Sequence, residues 1–284
     1  MIGYHKLFNV SSPPAKQVRL VRWMSDGDRL ATYDCLGRVI IWKNRANVLA
    51  YELDIKTSLL VTDMQWSPCG FYLLLCGREG HVQSFSTING LNLFSIQVEA
   101  TNSNNRKAEF TSCSWNKPGT QVALGTENAE VVIIDPSDNG RSVSTISIHK
   151  GVPVQSLEWF GPVITCTKQS GATYKSQSLS AYLKNGDVML FKSLTHPDVK
   201  CSKTMVVDGV AVWNSFSTLL AVIGYKKTNR CPTIRFLNNQ GYVLFTVTDG
   251  LPTPSRTRVR KERKVLVVYS CKLGVNGGVN STCC

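Results

Sequence analysis

"DCLGRVIIWKN", Asp34 to Asn44, reads as a polar turn running into an apolar strand that ends on tryptophan. Asp34 sits where a turn aspartate can brace the backbone that follows it. Just upstream, "VRLVRW" closes on a second tryptophan, Trp23. That ending returns as "VTDMQW" at Trp66, "FTSCSW" at Trp115, "VQSLEW" at Trp159 and "VAVW" at Trp213, at intervals of 43, 49, 44 and 54 residues. Apolar and polar positions alternate within these stretches, the period of a half-buried strand.

A polar turn follows each tryptophan, and then an apolar strand: "RLATY", "FYLLLCG", "QVALGT", "LSAYL" and "LLAVIGY". A second turn leads to "GRVIIW", "GHVQSFS", "AEVVIID", "GDVMLFK" and "PTIRFLN", and a fourth strand closes each repeat. Four antiparallel strands per repeat of about 40–45 residues describe a blade of a WD-repeat β-propeller. The expected fold is therefore all-β, with about five recognisable blades starting near residues 18, 61, 110, 154 and 207. The propeller occupies 1–250, and 251–284 is a basic, irregular tail. Helices are excluded, because the apolar runs are short, β-branched and broken by Gly, Pro, Asn and Asp.

Stacked blades cover each other's faces, so the first-strand tryptophans are expected to fill the space between sheets. Trp42, at the end of a third strand, is read as structural. The polar insertions Glu99–Glu109 and Thr167–Ser178 are expected as surface loops. After Gly250 no further tryptophan-ended strand arrives. An unclosed propeller exposes a sheet edge and a blade face, so the chain is expected to be a truncated or alternatively ended product.

Composition sets the remaining limits. With 43% hydrophobic and 18% charged residues the chain suits a folded domain. It has no run of eighteen apolar residues and no secretory signal, which predicts a cytoplasmic protein without a membrane span. The ten cysteines are scattered without a C-x-x-C pair and are expected to be small buried hydrophobes. Of the +13 formal charge the tail holds a net +6, much of it in "RTRVRKERK", Arg256–Lys264. That run could touch acidic lipid, although a solvated charge run is the favoured reading. The body lacks the clustered basic face that nucleic-acid binding requires, so no sequence-specific nucleic acid is expected. Cys283-Cys284 matches a double-prenylation ending, and a chance match is favoured.

Chemistry finds no foothold in the sequence. His5, His81, His149 and His196 lie far apart without ligand spacing. No nucleophile elbow, Walker-type loop or dinucleotide fingerprint occurs. The expectation is a non-catalytic protein-interaction scaffold with no cofactor and no metal, whose partners are other proteins and whose binding residues are unknown.

The wording of the blades carries a resemblance. "VRLVRWMSDGDRLATYDCLGRVIIW", "VTDMQWSPCGFYLLLCGREGHV", "SCSWNKPGTQVALGTENAEVVIID" and "HKGVPVQSLEW" resemble the N-terminal propeller of the tubby-like protein 4 family over about residues 18–247. That family joins its propeller to a cullin-recruiting box and a tubby domain. The resemblance implies substrate recognition for protein ubiquitination. Neither the box nor the tubby domain lies within these 284 residues, so only the propeller's binding role carries over. The related alternative is a WD-repeat subunit of intraflagellar transport complex A, with a ciliary location and a role in cilium assembly and retrograde transport.

Overall fold

The computed structural model describes residues 17–46, 48–98, 109–148, 151–167, 173–191, 201–206, 209–214, 216, 218–225 and 232–247. They form five consecutive four-stranded antiparallel sheets, each hydrogen-bonded in chain order. Blade 1 is β1 (Val18–Trp23), β2 (Arg29–Asp34), β3 (Arg38–Arg45) and β4 (Val48–Lys56). Blade 2 is β5 (Val61–Trp66), β6 (Tyr72–Gly77), β7 (His81–Ser86) and β8 (Asn92–Gln97). Blade 3 is β9 (Phe110–Trp115), β10 (Val122–Thr126), β11 (Glu130–Asp135) and β12 (Arg141–Ser147). Blade 4 is β13 (Val154–Thr167), β14 (Thr173–Leu183), β15 (Asp187–Phe191) and β16 (Cys201–Val206). Blade 5 is β17 (Gly209–Trp213), β18 (Leu219–Tyr225), β19 (Pro232–Asn238) and β20 (Val243–Val247). The architecture is that of a WD-repeat β-propeller. Among the described residues no sheet pairs a strand of blade 5 with one of blade 1.

The opening stretch does what its residues dictate. Asp34 Oδ1 accepts the backbone N–H of Leu36 at 2.8 Å and of Arg38 at 3.0 Å, closing the β2–β3 turn. Gly37 follows with φ +79°, and a Cβ there would collide with the Thr57 carbonyl. Trp42 is buried and its Nε1 donates to Thr32 Oγ1 at 2.9 Å, across the β2–β3 pair. Its indole meets Tyr51 of β4 edge-on. Both residues are structural. Elsewhere other side chains brace the first turn, from the position just after the tryptophan. Ser67 Oγ accepts Tyr72 N, Asn116 Oδ1 accepts Thr120 N and Gln121 N, and Asn214 Oδ1 accepts Thr218 N and Leu219 N.

Strand alternation then builds the core between blades rather than within them. Ala31, Tyr33, Val39 and Ile41 of blade 1 face Met64, Trp66, Leu73, Leu75 and Phe85 of blade 2 in one buried cluster. The other face of blade 2 (Leu74, Cys76, Val82) meets Phe110, Cys113, Val122 and Leu124 of blade 3. Blades 3 and 4 share a third cluster around Trp159, and blades 4 and 5 a fourth around Trp213. At about 25 cal/mol per Å² of apolar surface removed from water, these junctions are where the fold gains most of its stability. A lone four-stranded sheet would leave both faces wet.

Three expectations need correction. Thr167–Ser178 is not simply a loop. Thr167 ends β13, Thr173–Ser178 opens β14, and Ile164 to Thr167 pair with Ser176 to Thr173 in a long bulged hairpin. The β-branched Ile164, Thr165, Thr167 and Thr173 outweigh the Ser and Lys content that suggests a loop. The cysteines divide: Cys76 and Cys113 are buried, whereas Cys35 and Cys69 are exposed on turns. Trp23 is 51% exposed rather than packed between sheets. It lies on blade 1, at a margin that no blade covers among the described residues. The tail, the "EATNSNNRKA" part of the first insertion, His5, His149 and His196 lie outside the described residues.

Candidate protein-interaction surface

Each blade runs its first strand from the upper end to the lower, as the antiparallel order requires. The β5–β6 and β7–β8 turns therefore share the lower end, and the β6–β7 turn and the links between blades share the upper. Polar contacts lock the innermost strands of neighbouring blades. Trp66 Nε1 donates to the Arg22 carbonyl at 2.9 Å, and Trp159 Nε1 to the Ser114 carbonyl at 2.9 Å. Arg22 and Ser114 are the residues just before the tryptophan of the preceding blade, so one geometry serves two junctions. Trp213 reaches the corresponding carbonyl through a relay: its Nε1 donates to Ser180 Oγ at 3.1 Å, which donates to the Glu158 carbonyl at 2.8 Å. Trp115 breaks the rule, because its buried Nε1 has no hydrogen-bond partner among the described residues. Two threonines at the second position of their strands repeat a further contact. Thr62 Oγ1 donates to the Phe110 carbonyl at 2.6 Å, and Thr111 Oγ1 to that of Val154.

Asp63, in β5, joins three blades. It pairs with Arg22 of blade 1, and its Oδ2 accepts the Cys113 backbone N–H of blade 3 at 3.1 Å. No periodic signal marks it, since the corresponding positions are Leu20, Ser112, Ser156 and Val210. Burial and proximity to the Cys76 thiol hold the Cys113 thiol protonated well above its ordinary range, so it is no nucleophile.

Glu158 stands between blades 4 and 5. Burial raises its pKa above the ordinary 4.5, opposed by hydrogen bonds from the Tyr182 hydroxyl, at 2.9 Å, and from the Trp213 backbone. The sign follows from linkage: a carboxyl raised in the folded state adds no penalty below its unfolded pKa, and costs stability as pH rises through its folded value. Denaturation midpoints of the wild type should therefore fall with rising pH relative to Glu158→Gln, measured from pH 4 to 8. A constant difference between the two would show that Glu158 titrates normally.

Among the described residues no group of three or more His, Cys, Asp or Glu could hold a metal ion. His81, the described histidine, opens β7 half-buried and belongs to no such group. What remains for recognition is exposed surface. On the lower end of blade 2, Phe71, Ile88 and Leu91 are 53%, 70% and 62% exposed. Two backbone bonds bring them together, Thr87 N to the Phe71 carbonyl at 3.0 Å and Ser86 N to the Leu91 carbonyl at 2.9 Å. Gly70, at φ +74°, permits this turn, and a Cβ there would strike Met24 of blade 1. Phe216 and Tyr242 stand exposed on turns at the lower end of blade 5. The upper end carries charged groups beside the exposed Leu36 and Leu60. Burial and then repulsion from Glu109 raise the Glu127 carboxyl above its ordinary value, while Lys184 and Arg78 lower it.

A comparison of the whole chain with curated proteins gives 25% identity over 84% of it with mouse tubby-related protein 4. The chain is similar to tubby-related protein 4. The human tubby-related protein 4 matches at 24% over the same share. The chain spans 17% of the length of these curated relatives. No family model matches. Among solved structures, the β-propeller domain of Cps50 (Swd1) from Myceliophteria thermophila aligns over 82% of this chain and 86% of its own, at a TM-score of 0.44 and 14% identity. The tubby-like resemblance read from the blade wording is thus found again by direct comparison with tubby-related protein 4. No helix among the described residues is long and apolar enough to cross a membrane.

Proposed function

We propose that this chain is a protein-binding propeller that recognises substrates for a tubby-like, cullin-based ubiquitin ligase adaptor. The observation that carries this reading is the similarity to tubby-related protein 4 along 84% of the chain. The surface fits a recognition role. Trp66, Trp159 and Trp213, with Thr62, Thr111 and Asp63, are engaged in holding blades together, which leaves the apolar turn residues Phe71, Ile88 and Leu91 exposed for a partner. Exposed apolar clusters rimmed by polar groups are commonly protein contacts. The cytoplasm is the compartment this reading implies.

A recognition module produced by itself should compete with the full adaptor and shield the proteins it holds. Producing the chain in cells is expected to lengthen the half-lives of the proteins that copurify with it, and cullin-ligase inhibition should erase that difference. Unchanged turnover of the copurified proteins would overturn the proposal. Copurification of intraflagellar transport complex A subunits at stoichiometric level would replace it with a transport role.

A further inference from the structure

Trp66, Trp115, Trp159 and Trp213 each pack against the blade before their own, yet they bond to it in three different ways. The acceptor that Trp66 and Trp159 share is the carbonyl of the residue before the preceding blade's tryptophan, Arg22 and Ser114 respectively. Each residue at that acceptor position lies opposite a second-strand residue. Arg22 faces Ala31, Ser114 faces Ala123, Glu158 faces Ser180 and Gln65 faces Leu74. Opposed residues of an antiparallel pair project from the same face of the sheet. The second-strand side chain therefore stands beside the carbonyl, on the side from which the next indole approaches.

The bonding follows the size and chemistry of that side chain. Ala31 and Ala123 present only a methyl group, and Trp66 and Trp159 reach their carbonyls directly, both at 2.9 Å. Ser180 takes up part of the gap but supplies what it blocks, accepting from Trp213 and donating to the Glu158 carbonyl. Leu74 fills the gap and can do neither. It is fully buried in the cluster between blades 2 and 3, against which Trp115 packs. Trp115 is the tryptophan of the four whose Nε1 has no partner among the described residues. It is also only half-buried, whereas the other three are buried.

We propose that Leu74 is a positioning residue for this junction, whose isobutyl group keeps the Trp115 indole off the Gln65 carbonyl and so sets how blade 3 seats on blade 2. Other groups then hold that seating, Thr62 through the Phe110 carbonyl and Asp63 through the Cys113 backbone N–H. The consequence reaches the surface. Trp115 ends β9, and the turn after it brings Gly119 so near blade 2 that a Cβ there would touch Pro68. Pro68 belongs to the turn that carries Phe71, so the seating fixes one flank of the exposed apolar cluster.

Indole N–H resonances report the bond one tryptophan at a time, because a hydrogen-bonded indole proton moves downfield. In a proton–nitrogen correlation spectrum of the whole chain, assigned with tryptophan-to-phenylalanine variants, Trp115 should lie upfield of Trp66, Trp159 and Trp213. Leu74→Ser supplies the missing relay and should bring Trp115 downfield, into the range of Trp213. Leu74→Met keeps the bulk, adds no hydroxyl and should leave Trp115 in place. Because Leu74→Ser also opens a cavity, Ser180→Ala tests the same rule where little volume is lost. Trp213 should then stay downfield by reaching the Glu158 carbonyl directly, as the indoles beside Ala31 and Ala123 do. A wild-type Trp115 already among the bonded three overturns the proposal. So does a Trp213 that moves upfield to the Trp115 position in Ser180→Ala, or a folded Leu74→Ser protein whose Trp115 has not moved.

Discussion

Replacing Asp63 by alanine should lower the free energy of unfolding by about 3 kcal/mol, a large loss for a single residue that no repeat pattern marks. Two effects add. The Cys113 backbone N–H is buried and loses its carboxylate acceptor, and an orphaned buried donor costs about 1–3 kcal/mol. The ion pair with Arg22 is lost as well, but the Arg22 side chain is 38% exposed and water takes over much of its solvation. That second effect is therefore well below the 3–5 kcal/mol of a fully buried pair. Asp63→Asn keeps an acceptor for Cys113 and should cost less. Arg22→Ala leaves the buried Asp63 carboxylate without its cationic partner and should also destabilise. Urea unfolding of the two single variants and the double variant measures the coupling, which should be clearly nonzero. Additive losses would mean that blades 1 and 2 are not joined through this pair.

The second large effect separates residues that look alike in sequence. Trp159→Ala should cost about 3–5 kcal/mol, the range for deleting a buried aromatic. Its side chain is 5% exposed within the blade 3–blade 4 cluster and donates to Ser114. Trp23→Ala, at the same repeat position, should cost less than about 1 kcal/mol, as ordinary surface changes do. The contrast matters more than either value. Equal losses would place Trp23 in a junction and close the ring.

The blades were legible in the sequence because strand alternation and the tryptophan interval are both periodic. Asp34, Trp42 and the turn residues could be read for the same reason, since each repeats a position. What escaped is what occurs once. Asp63 looks like an ordinary polar position on a half-buried strand, and only the arrangement of three blades brings Arg22 and Cys113 to it. Glu158 is likewise one polar residue of an alternating strand until Tyr182 and Trp213 close over it. The exposure of Trp23 depends on what packs against blade 1, which no local pattern expresses. The β13–β14 hairpin was hidden by composition: Ser and Lys favour a loop until a partner strand satisfies their backbone groups. The exposed trio Phe71, Ile88 and Leu91 spans two turns that only the blade topology puts side by side. No pattern along the chain could have joined them.

The whole construction, blades locked through inner-strand tryptophans with Trp23 left exposed, reduces to the accessibility of individual indoles. Hydroxyl-radical footprinting with mass spectrometry, at concentrations dilute enough for single copies, reads them one by one. Trp42, Trp66, Trp159 and Trp213, each 4–7% exposed, should be oxidised slowly, and Trp23 many times faster. A Trp23 as protected as the other four in the monomer would contradict the bare inner margin of blade 1 and show that it is covered within the chain.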